Sequence, residues 1–333
     1  MATKNDVLIV ILNYKGWQDT LDCVDAVMKQ TYRAFDIFLV ENGSHDGSNE
    51  KLSNLKKNEK IIYIQNDVNR GFSGGVNQGI RYAIEHDYHF TVLLNNDAVV
   101  SPTWLSTLRK TIDTVDASAV TGLLLDGAGK KIESTGDSYT MWGLPFPRQR
   151  DENVDRAVGS GYVFGGTAGA SLYKTELFDK IGLFDEKFFA YFEDTDINFR
   201  AQLAGYTAYY EDRAIAYHDH GSTSKKIPGF TVKQTFKNLP LFFWKDVPAQ
   251  LIIPIGVRFL IVYTLIYLRA IARGQFVVAT QGMIGSIRNF PYALRQRRTI
   301  QRSRTVTIDY LRSIIYPGLP PSNRATLRRF LHL

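Results

Sequence analysis

The chain of 333 residues is 44% apolar and 22% charged, enough to bury one large core and unlike a disordered or fibrous composition. Its single cysteine, Cys23, excludes an internal disulfide and a cysteine-rich metal cluster, and fits a reducing compartment. The net charge of +7 is divided: residues 225–333 hold 18 Lys and Arg against 2 acids, so a tail of +16 is set against −9 before it. Such a tail suits nucleic acid, anionic lipid or an acidic partner, and net charge alone does not choose among them.

Residues 1–6 are polar and the apolar run Val7–Leu12 is too short for a signal-peptide core, so the protein is expected in the cytosol. That run reads as a buried strand ending in the polar loop Asn13-Tyr14-Lys15-Gly16, and residues 17–30 have helical spacing that buries Cys23. A second strand, 36–40, ends at Glu41-Asn42-Gly43-Ser44-His45-Asp46, and a third, 61–64, leads into residues 66–79. Strands alternating with helices at this spacing predict an α/β fold with a mostly parallel, doubly wound sheet. Every polar cluster falls at a strand's carboxyl end, where such a sheet places its chemistry.

The segment from Asn69-Arg70-Gly71 to Asn77-Gln78-Gly79 is glycine-rich, but it is not the first βα turn and does not match G-x-G-x-x-G, which argues against a nicotinamide or flavin site. Its glycines either let a backbone approach a nucleotide or form a tight loop before a helix over 76–85. At Thr91–Ala98 an apolar run stops abruptly at Asn95-Asn96-Asp97. On a strict strand Asn95 and Asp97 project from one face, and an amide oxygen with a carboxylate suits a hard divalent cation. A turn is the commoner outcome for these residue types.

A helix over 102–114 and an apolar stretch over 119–125 precede an irregular insert, 126–161, whose aromatic segment contains Trp142 and reads as a binding loop or lid. Strand character returns over 162–173 around Gly165-Gly166-Thr167-Ala168-Gly169, small residues beside which a substrate can lie. In Phe188-Phe189-Ala190-Tyr191-Phe192-Glu193-Asp194-Thr195-Asp196 the acids stand directly behind aromatics, a setting that desolvates a carboxylate and raises its pKa toward use as a base. The same acids also suit a helix N-terminus. A strand over 214–217 ends at His218-Asp219-His220, where a histidine is structural or a third metal ligand.

Taken in order, Asn13, Glu41-Asn42 with Asp46, Asn69-Arg70-Gly71 with Asn77, Asn95-Asn96-Asp97, Phe184-Asp185-Glu186, Glu193-Asp194 and His218 resemble the family 2 nucleotide-sugar glycosyltransferases of the GT-A fold, especially the bacterial rhamnosyltransferase branch. The resemblance covers residues 5–224. It implies that Asn13, Glu41, Asn42 and Asp46 surround the nucleoside, and that Asn69, Arg70, Gly71, Asn77 and Asn96 border the nucleotide sugar. It implies that Asp97, with Asn95 in the place of the usual first acid, and His218 (or His220) hold Mg²⁺ or Mn²⁺. Asp194 matches the catalytic base, and Trp142, Gly166, Thr167 and Glu193 are candidates for the acceptor side. The implied reaction is inverting transfer of L-rhamnose from dTDP-β-L-rhamnose to a polyprenyl-diphosphate-linked saccharide.

Two units are expected: a catalytic GT-A domain over 1–224 and a basic, apolar helical region over 225–333. In the latter, Pro254, Arg258 and Arg269 interrupt the apolar stretch 251–269, leaving a piece shorter than the ~20 residues of a spanning helix. In-plane attachment to the anionic inner leaflet is therefore expected, with Arg288, Arg295, Arg297, Arg298, Arg302 and Arg304 facing lipid. A homodimer face is the alternative. A nucleic-acid partner is not expected, because the basic tail lacks a reader motif. The competing readings are a UDP-hexose-dependent enzyme of the same mechanism and a non-catalytic sugar- or nucleic-acid-binding protein.

Overall fold

The structure, a computed structural model, describes residues 5–218 and 227–321. Val7–Asn13 (β1) shows why the first strands are so apolar: Val7, Ile9 and Ile11 face one buried cluster, while Leu8 and Val10 face another. The same alternation holds in Phe35–Asn42 (β2) and, beyond Ile61–Asn66 (β3), in Phe90–Asn95 (β4). A sheet with helices on both faces leaves no side of its central strands for water. Trp17–Met28 (α1) and Trp104–Thr114 (α4) cover one face. Gly71–Glu85 (α3) and Glu176–Ile181 (α5) cover the other, and the short Ser48–Leu52 (α2) lies between β2 and β3.

Further strands are Ala98–Val100 (β5), Ala119–Asp126 (β6), Ile132–Ser134 (β7), Asp137–Tyr139 (β8), Pro145–Pro147 (β9), Gly161–Val163 (β10), Ala170–Lys174 (β11) and Ala208–His218 (β12). The main sheet runs β10-β12-β6-β11-β4-β1-β2-β3, with β5 on β12 and β7 on β6. β4, β1, β2 and β3 are parallel, while β11 is antiparallel to both β4 and β6. Register carries the polar strand ends to one edge: Asn13 lies opposite Glu41, Asn42 opposite Asn66, and Leu12 opposite Asn95.

Several boundaries differ from the sequence reading. The helix expected from Val76 begins at Gly71, and its glycines form a packing face: a Cβ at Gly75 would meet Leu12 at 2.3 Å, and one at Gly79 would meet Val10 at 2.5 Å. The glycine pattern reflects helix-on-sheet contact. β4 ends at Asn95, so Asn96 and Asp97 occupy a turn and strand alternation does not align Asn95 with Asp97. The insert over 126–161 contains β7, β8 and β9, and β8 and β9 pair with each other.

Glu193–Leu203 (α6) leads into β12, and four helices follow the segment outside the description: Phe230–Asp246 (α7), Ala249–Ala272 (α8), Phe276–Arg302 (α9) and Ile308–Ile314 (α10). These helices share one core with the preceding chain. Tyr139, Phe164, Phe188 and Phe199 cluster with Phe242, Leu251, Ile255 and Leu311. Tyr316 exchanges backbone hydrogen bonds with Met141 (2.8 Å) and Tyr139 (2.8 Å), pinning the β8–β9 hairpin to the C-terminal segment. The expected boundary at 224/225 lies outside the described residues.

α8 runs unbroken through Pro254 and Arg258 for 24 residues, so the interruptions expected from sequence do not end it. By length and mean hydropathy, 2.2 in its most apolar window, it is long and apolar enough to cross a membrane. Leu251, Ile255, Phe259 and Val262 nevertheless form a buried stripe on the protein, while Ile253, Val257, Leu260 and Leu268 are more than half exposed on the outer side.

Candidate active site

At the carboxyl edge of the sheet the strand ends brace one another. Asn13 Oδ1 accepts from Gly16 N (3.2 Å) and Thr20 Oγ1 (2.9 Å), and Asn96 Nδ2 donates to Gly16 O (3.2 Å) and Thr20 Oγ1 (3.0 Å). Glu41, buried, accepts from Ser44 N (2.9 Å) and Gly43 N (3.3 Å), which folds the next loop back over it. Asp46 is exposed and accepts from Ser48 N at 3.1 Å.

Three candidate donor ligands are already committed inside the fold. Asn42 donates to Asn69 Oδ1 and Gly71 O and accepts from Asn66 Nδ2 and Arg70 N. Asn69 also accepts from Gly71 N at 2.8 Å. Asn77 donates to Phe184 O (2.8 Å) and accepts from Phe184 N (3.1 Å), tying α3 to the chain before α6. Asn42, Asn69 and Asn77 thus hold the backbone around the site in place. Gly71 has φ +71° and a Cβ there would lie 2.3 Å from Phe189 O, so both its hand and the close approach require glycine. Arg70 is exposed, and its charge reaches Glu186.

The turn after β4 brings Asp97 to the end of β12. His218 Nε2 lies 2.8 Å from Asp97 Oδ1 and 3.3 Å from Asn95 Nδ2, while His218 Nδ1 lies 2.8 Å from Glu133 Oε2. Burial alone would lower the imidazole pKa, but the hydrogen bonds and charges of Asp97 and Glu133 raise it to about 10. Glu133, on β7, was not among the sequence candidates; a single acid in an irregular insert carries no motif. A carboxylate on Nδ1 is the arrangement that orients a metal-ligating imidazole and fixes its tautomer. The donor set of Asp97, His218 and Asn95 thus fits a divalent cation with places left for ligand oxygens and water. Among the described residues no group of three or more His, Cys, Asp and Glu side chains is placed to hold a metal ion by itself, so a cation here would draw its other ligands from the Asn95 amide, the bound ligand and water. His220 lies outside the described residues.

Residues 165–169 connect this end of β4 with α6. Gly169 O accepts from Asn95 N (2.8 Å), and Gly166 O accepts from Asn198 Nδ2 on α6 (2.8 Å). Thr167 O accepts from Ser171 Oγ at 2.6 Å and its side chain is half-buried. Trp142 is partly buried against the apolar cluster that joins the insert and α6 to the C-terminal helices.

α6 begins with three acids in one turn, and their surroundings separate them. Burial raises the Asp194 pKa, opposed by the N–H and hydroxyl of Thr195; Thr195 N donates to Asp194 Oδ1 at 2.7 Å. Burial and the neighbouring Asp194 charge push Glu193 up to about 8. Asp196 is also buried, but the Arg200 guanidinium and Lys245 ammonium overcome that and hold it at about 2. Arg200 Nε and Nη2 bond Asp196 Oδ2 at 2.9 and 2.8 Å, and Lys245 Nζ meets both Asp196 and Asp185, the latter at 2.6 Å. Asp137 on β8, also absent from the sequence candidates, is raised well above the carboxylate range by burial and the charge of Asp194.

The helix start is reached through an unusual backbone. Phe189, Tyr191 and Phe192 have φ of 67°, 70° and 72°, left-handed values that cost a non-glycine residue about 1–3 kcal/mol each. Strain of this kind persists only where surrounding contacts over-determine it.

A mixed sheet of this order, with a cation-suited turn after β4 and a desolvated acid at the start of α6, has the architecture of the GT-A class. The glycosyl transferase family 2 model matches residues 6–182, more than half the chain, and the protein belongs to that family. It is 26% identical over 207 residues to the low-salt glycan biosynthesis hexosyltransferase Agl10 of Haloferax volcanii, covering 60% of this chain and 62% of that protein. Among solved structures, the mannosyltransferase PcManGT of Pyrobaculum calidifontis, in complex with GDP-Man and Mn²⁺, superposes with a TM-score of 0.55 at 14% identity, over 91% of this chain and 86% of that one. GalNAc-T7, solved with UDP, GalNAc and Mn²⁺, gives 0.57 at 17% identity over 74% of this chain and 49% of that one. These structural likenesses establish the GT-A fold.

Proposed function

We propose that the protein is an inverting hexosyltransferase that moves L-rhamnose from dTDP-β-L-rhamnose to a polyprenyl-diphosphate-linked saccharide of a surface polysaccharide. The observation that carries the transferase reading is the pairing of the Asp97–His218–Glu133 array with the desolvated Asp194 across the loop 165–169. The rhamnose assignment rests on the order of motifs from Asn13 to His218. A second reading, a UDP-hexose donor with the same mechanism, is favoured by the UDP complex of GalNAc-T7.

In this reaction Asp194 takes the proton of an acceptor hydroxyl as that oxygen attacks the anomeric carbon; the bond to the nucleoside diphosphate breaks, and the centre inverts. Asp97, His218 and Asn95 would hold Mg²⁺ or Mn²⁺, which supplies charge stabilisation for the departing diphosphate. Glu133 keeps the imidazole oriented. Asn13, Glu41 and Asn96 shape the nucleoside edge, with Asp46 exposed beside it.

Attachment to an anionic leaflet through α8 and α9 completes the proposal. Ile253, Leu260 and Ile287 are 77%, 66% and 71% exposed, on helices that also carry Arg258, Arg269, Arg288 and Arg295. Because α8 is buried on the protein along its other side, an in-plane position suits it better than a span. Acceptor lipids would then meet the enzyme at the surface where it rests. Flotation with vesicles containing anionic lipid should carry the protein upward, and Ile253→Glu with Leu260→Glu should leave it at the bottom; equal flotation of both would reject the lipid surface.

Calorimetric titration against dTDP, UDP and GDP, each with and without Mn²⁺, tests the donor. Mn²⁺-dependent preference for dTDP is expected. Preference for UDP would replace the sugar and keep the mechanism, and no binding to any of the three would overturn the transferase reading.

A further inference from the structure

We infer that Asn238 on α7, outside the family-matched segment, is a positioning residue that holds the turn Phe188–Phe192 in its left-handed form and thereby sets where Asp194 stands. The inference rests on the reading of Asp194 as the base. Asn238 is fully buried, and its side-chain nitrogen lies 3.0, 2.9 and 2.8 Å from the carbonyl oxygens of Phe188, Ala190 and Tyr191. An amide has only two N–H bonds, so three carbonyls converge on one shared donor.

The convergence follows from the backbone. Left-handed values at Phe189 and at the consecutive Tyr191 and Phe192 flank an ordinary one at Ala190. The Phe188, Ala190 and Tyr191 carbonyls gather toward α7, while Phe189 O turns the other way to accept from Phe72 N at 2.6 Å at the start of α3. The turn is thus gripped between α3 and α7. Lys237 adds contacts from its Nζ to Lys187 O (3.0 Å) and Phe188 O (3.1 Å), and Gln234 Nε2 reaches Phe188 O at 3.4 Å.

Phe192 is the residue from which α6 starts, and Asp194 is two residues further on. Because the Asp194 carboxylate accepts from Thr195 N within the same turn, it is carried along with the helix start. Without Asn238 the Phe188 carbonyl keeps Lys237 and Gln234, but those of Ala190 and Tyr191 lose the donor that α7 gives them, and the remaining α7 contacts to Tyr191, the Phe230 ring and the Thr231 hydroxyl, reach its side chain and leave its backbone freer to relax toward right-handed values. A base displaced by about 1 Å loses roughly 100-fold in rate without any change in the donor's own contacts.

The test uses the full-length protein and the variants Asn238→Ala, Asn238→Asp, Lys237→Met and Asp194→Asn. Turnover is followed as nucleoside diphosphate release from dTDP-rhamnose and from UDP-glucose with Mn²⁺, with a membrane lipid fraction as acceptor source; nucleotide affinity is followed by calorimetry and loop order by amide hydrogen exchange. Asn238→Ala should lower kcat about 100-fold, leave nucleotide Kd within about twofold, and raise exchange over 186–194 while β1, β2 and β4 stay protected. Asn238→Asp, of equal size but with an acceptor where the donor stood, should do the same. Lys237→Met should reproduce the pattern at about fivefold.

Unchanged kcat with unchanged loop exchange would overturn the inference, as would equal losses of turnover, nucleotide affinity and sheet protection. If Asn238→Ala prevents folding altogether, Lys237→Met decides: normal kcat there overturns it. Retained turnover in Asp194→Asn would instead remove the base assignment, and loop exchange in Asn238→Ala would still report whether the turn is held from α7.

Discussion

The two sides of the candidate site are built differently. On the nucleoside side, Asn13, Glu41, Asn42 and Asn66 arrive at one edge because parallel strands put them in register, and local turns such as Glu41 to Ser44 finish the work. On the base side, Asp194 follows a strained turn with a few backbone bonds of its own, and α3 and α7, the latter through Asn238 and the buried Lys245, hold it from outside. One side is assembled by secondary structure, the other by tertiary contacts. Damage to the distant helices should therefore silence the base before it disturbs nucleotide binding.

The largest effect expected is at the base itself. Asp194→Asn should reduce kcat by about 10³-fold with nucleotide Kd nearly unchanged; comparable losses in both would erase the functional separation of the two sides. The pH profile of kcat sharpens the same point, because burial raises the Asp194 pKa. The ionised form is the active one, so activity should rise with pH along a limb displaced above the ordinary carboxylate range; a limb near pH ~4 would mean that the carboxylate is hydrated in the working enzyme.

Lys245→Met probes the outer support. It leaves Asp185 and Asp196 without the buried ammonium they share, which should cost about 3–5 kcal/mol, read as the shift of the denaturant midpoint. If α7 supports chiefly the base side, partial denaturation of this variant should abolish turnover while Mn²⁺-dependent nucleotide binding persists. Simultaneous loss would show that the two sides form one cooperative unit.

Glu133→Gln should weaken Mn²⁺ binding about 10- to 100-fold by removing the carboxylate that orients His218, measured by metal titration in the presence of nucleotide. An unchanged titration would leave Asp97 as the dominant ligand. The smallest effect expected is in stability at Glu193. Its folded-state pKa is raised to about 8, so the folded chain keeps a proton that the unfolded chain releases above pH ~4.3. The stabilisation contributed by that proton is complete below the unfolded value, declines as pH rises, and is gone above about 8. The advantage of Glu193→Gln over the wild type should grow across that window and then level off; a constant difference would mean that Glu193 titrates alike in both states.

Much of the first side was legible in the residues. Alternating apolar faces, polar strand ends and the stop at Asn95-Asn96-Asp97 are local patterns, and a strand's period of two converts them directly into geometry. The acids behind Phe188–Phe192 were legible as desolvated, and burial does raise Glu193 and Asp194. Local pattern failed where two segments had to meet. The glycines 71–79 read equally as a ligand loop in sequence, while the fold sets Leu12 and Val10 against Gly75 and Gly79, and Pro254 and Arg258 read as breaks in a helix that runs straight through both.

From the sequence alone came the α/β class, the family resemblance, and the roles expected of Asp97, His218 and Asp194, because each is carried by residue type and short-range order. Only the tertiary structure brought in Glu133 behind His218, Asp137 beside Asp194, and Asn238 beneath the strained turn. Glu133 is 85 residues from His218 along the chain, and Asn238 is 47 from Tyr191. Contacts at such separations are set by how β7 and α7 pack, and no local spacing records them.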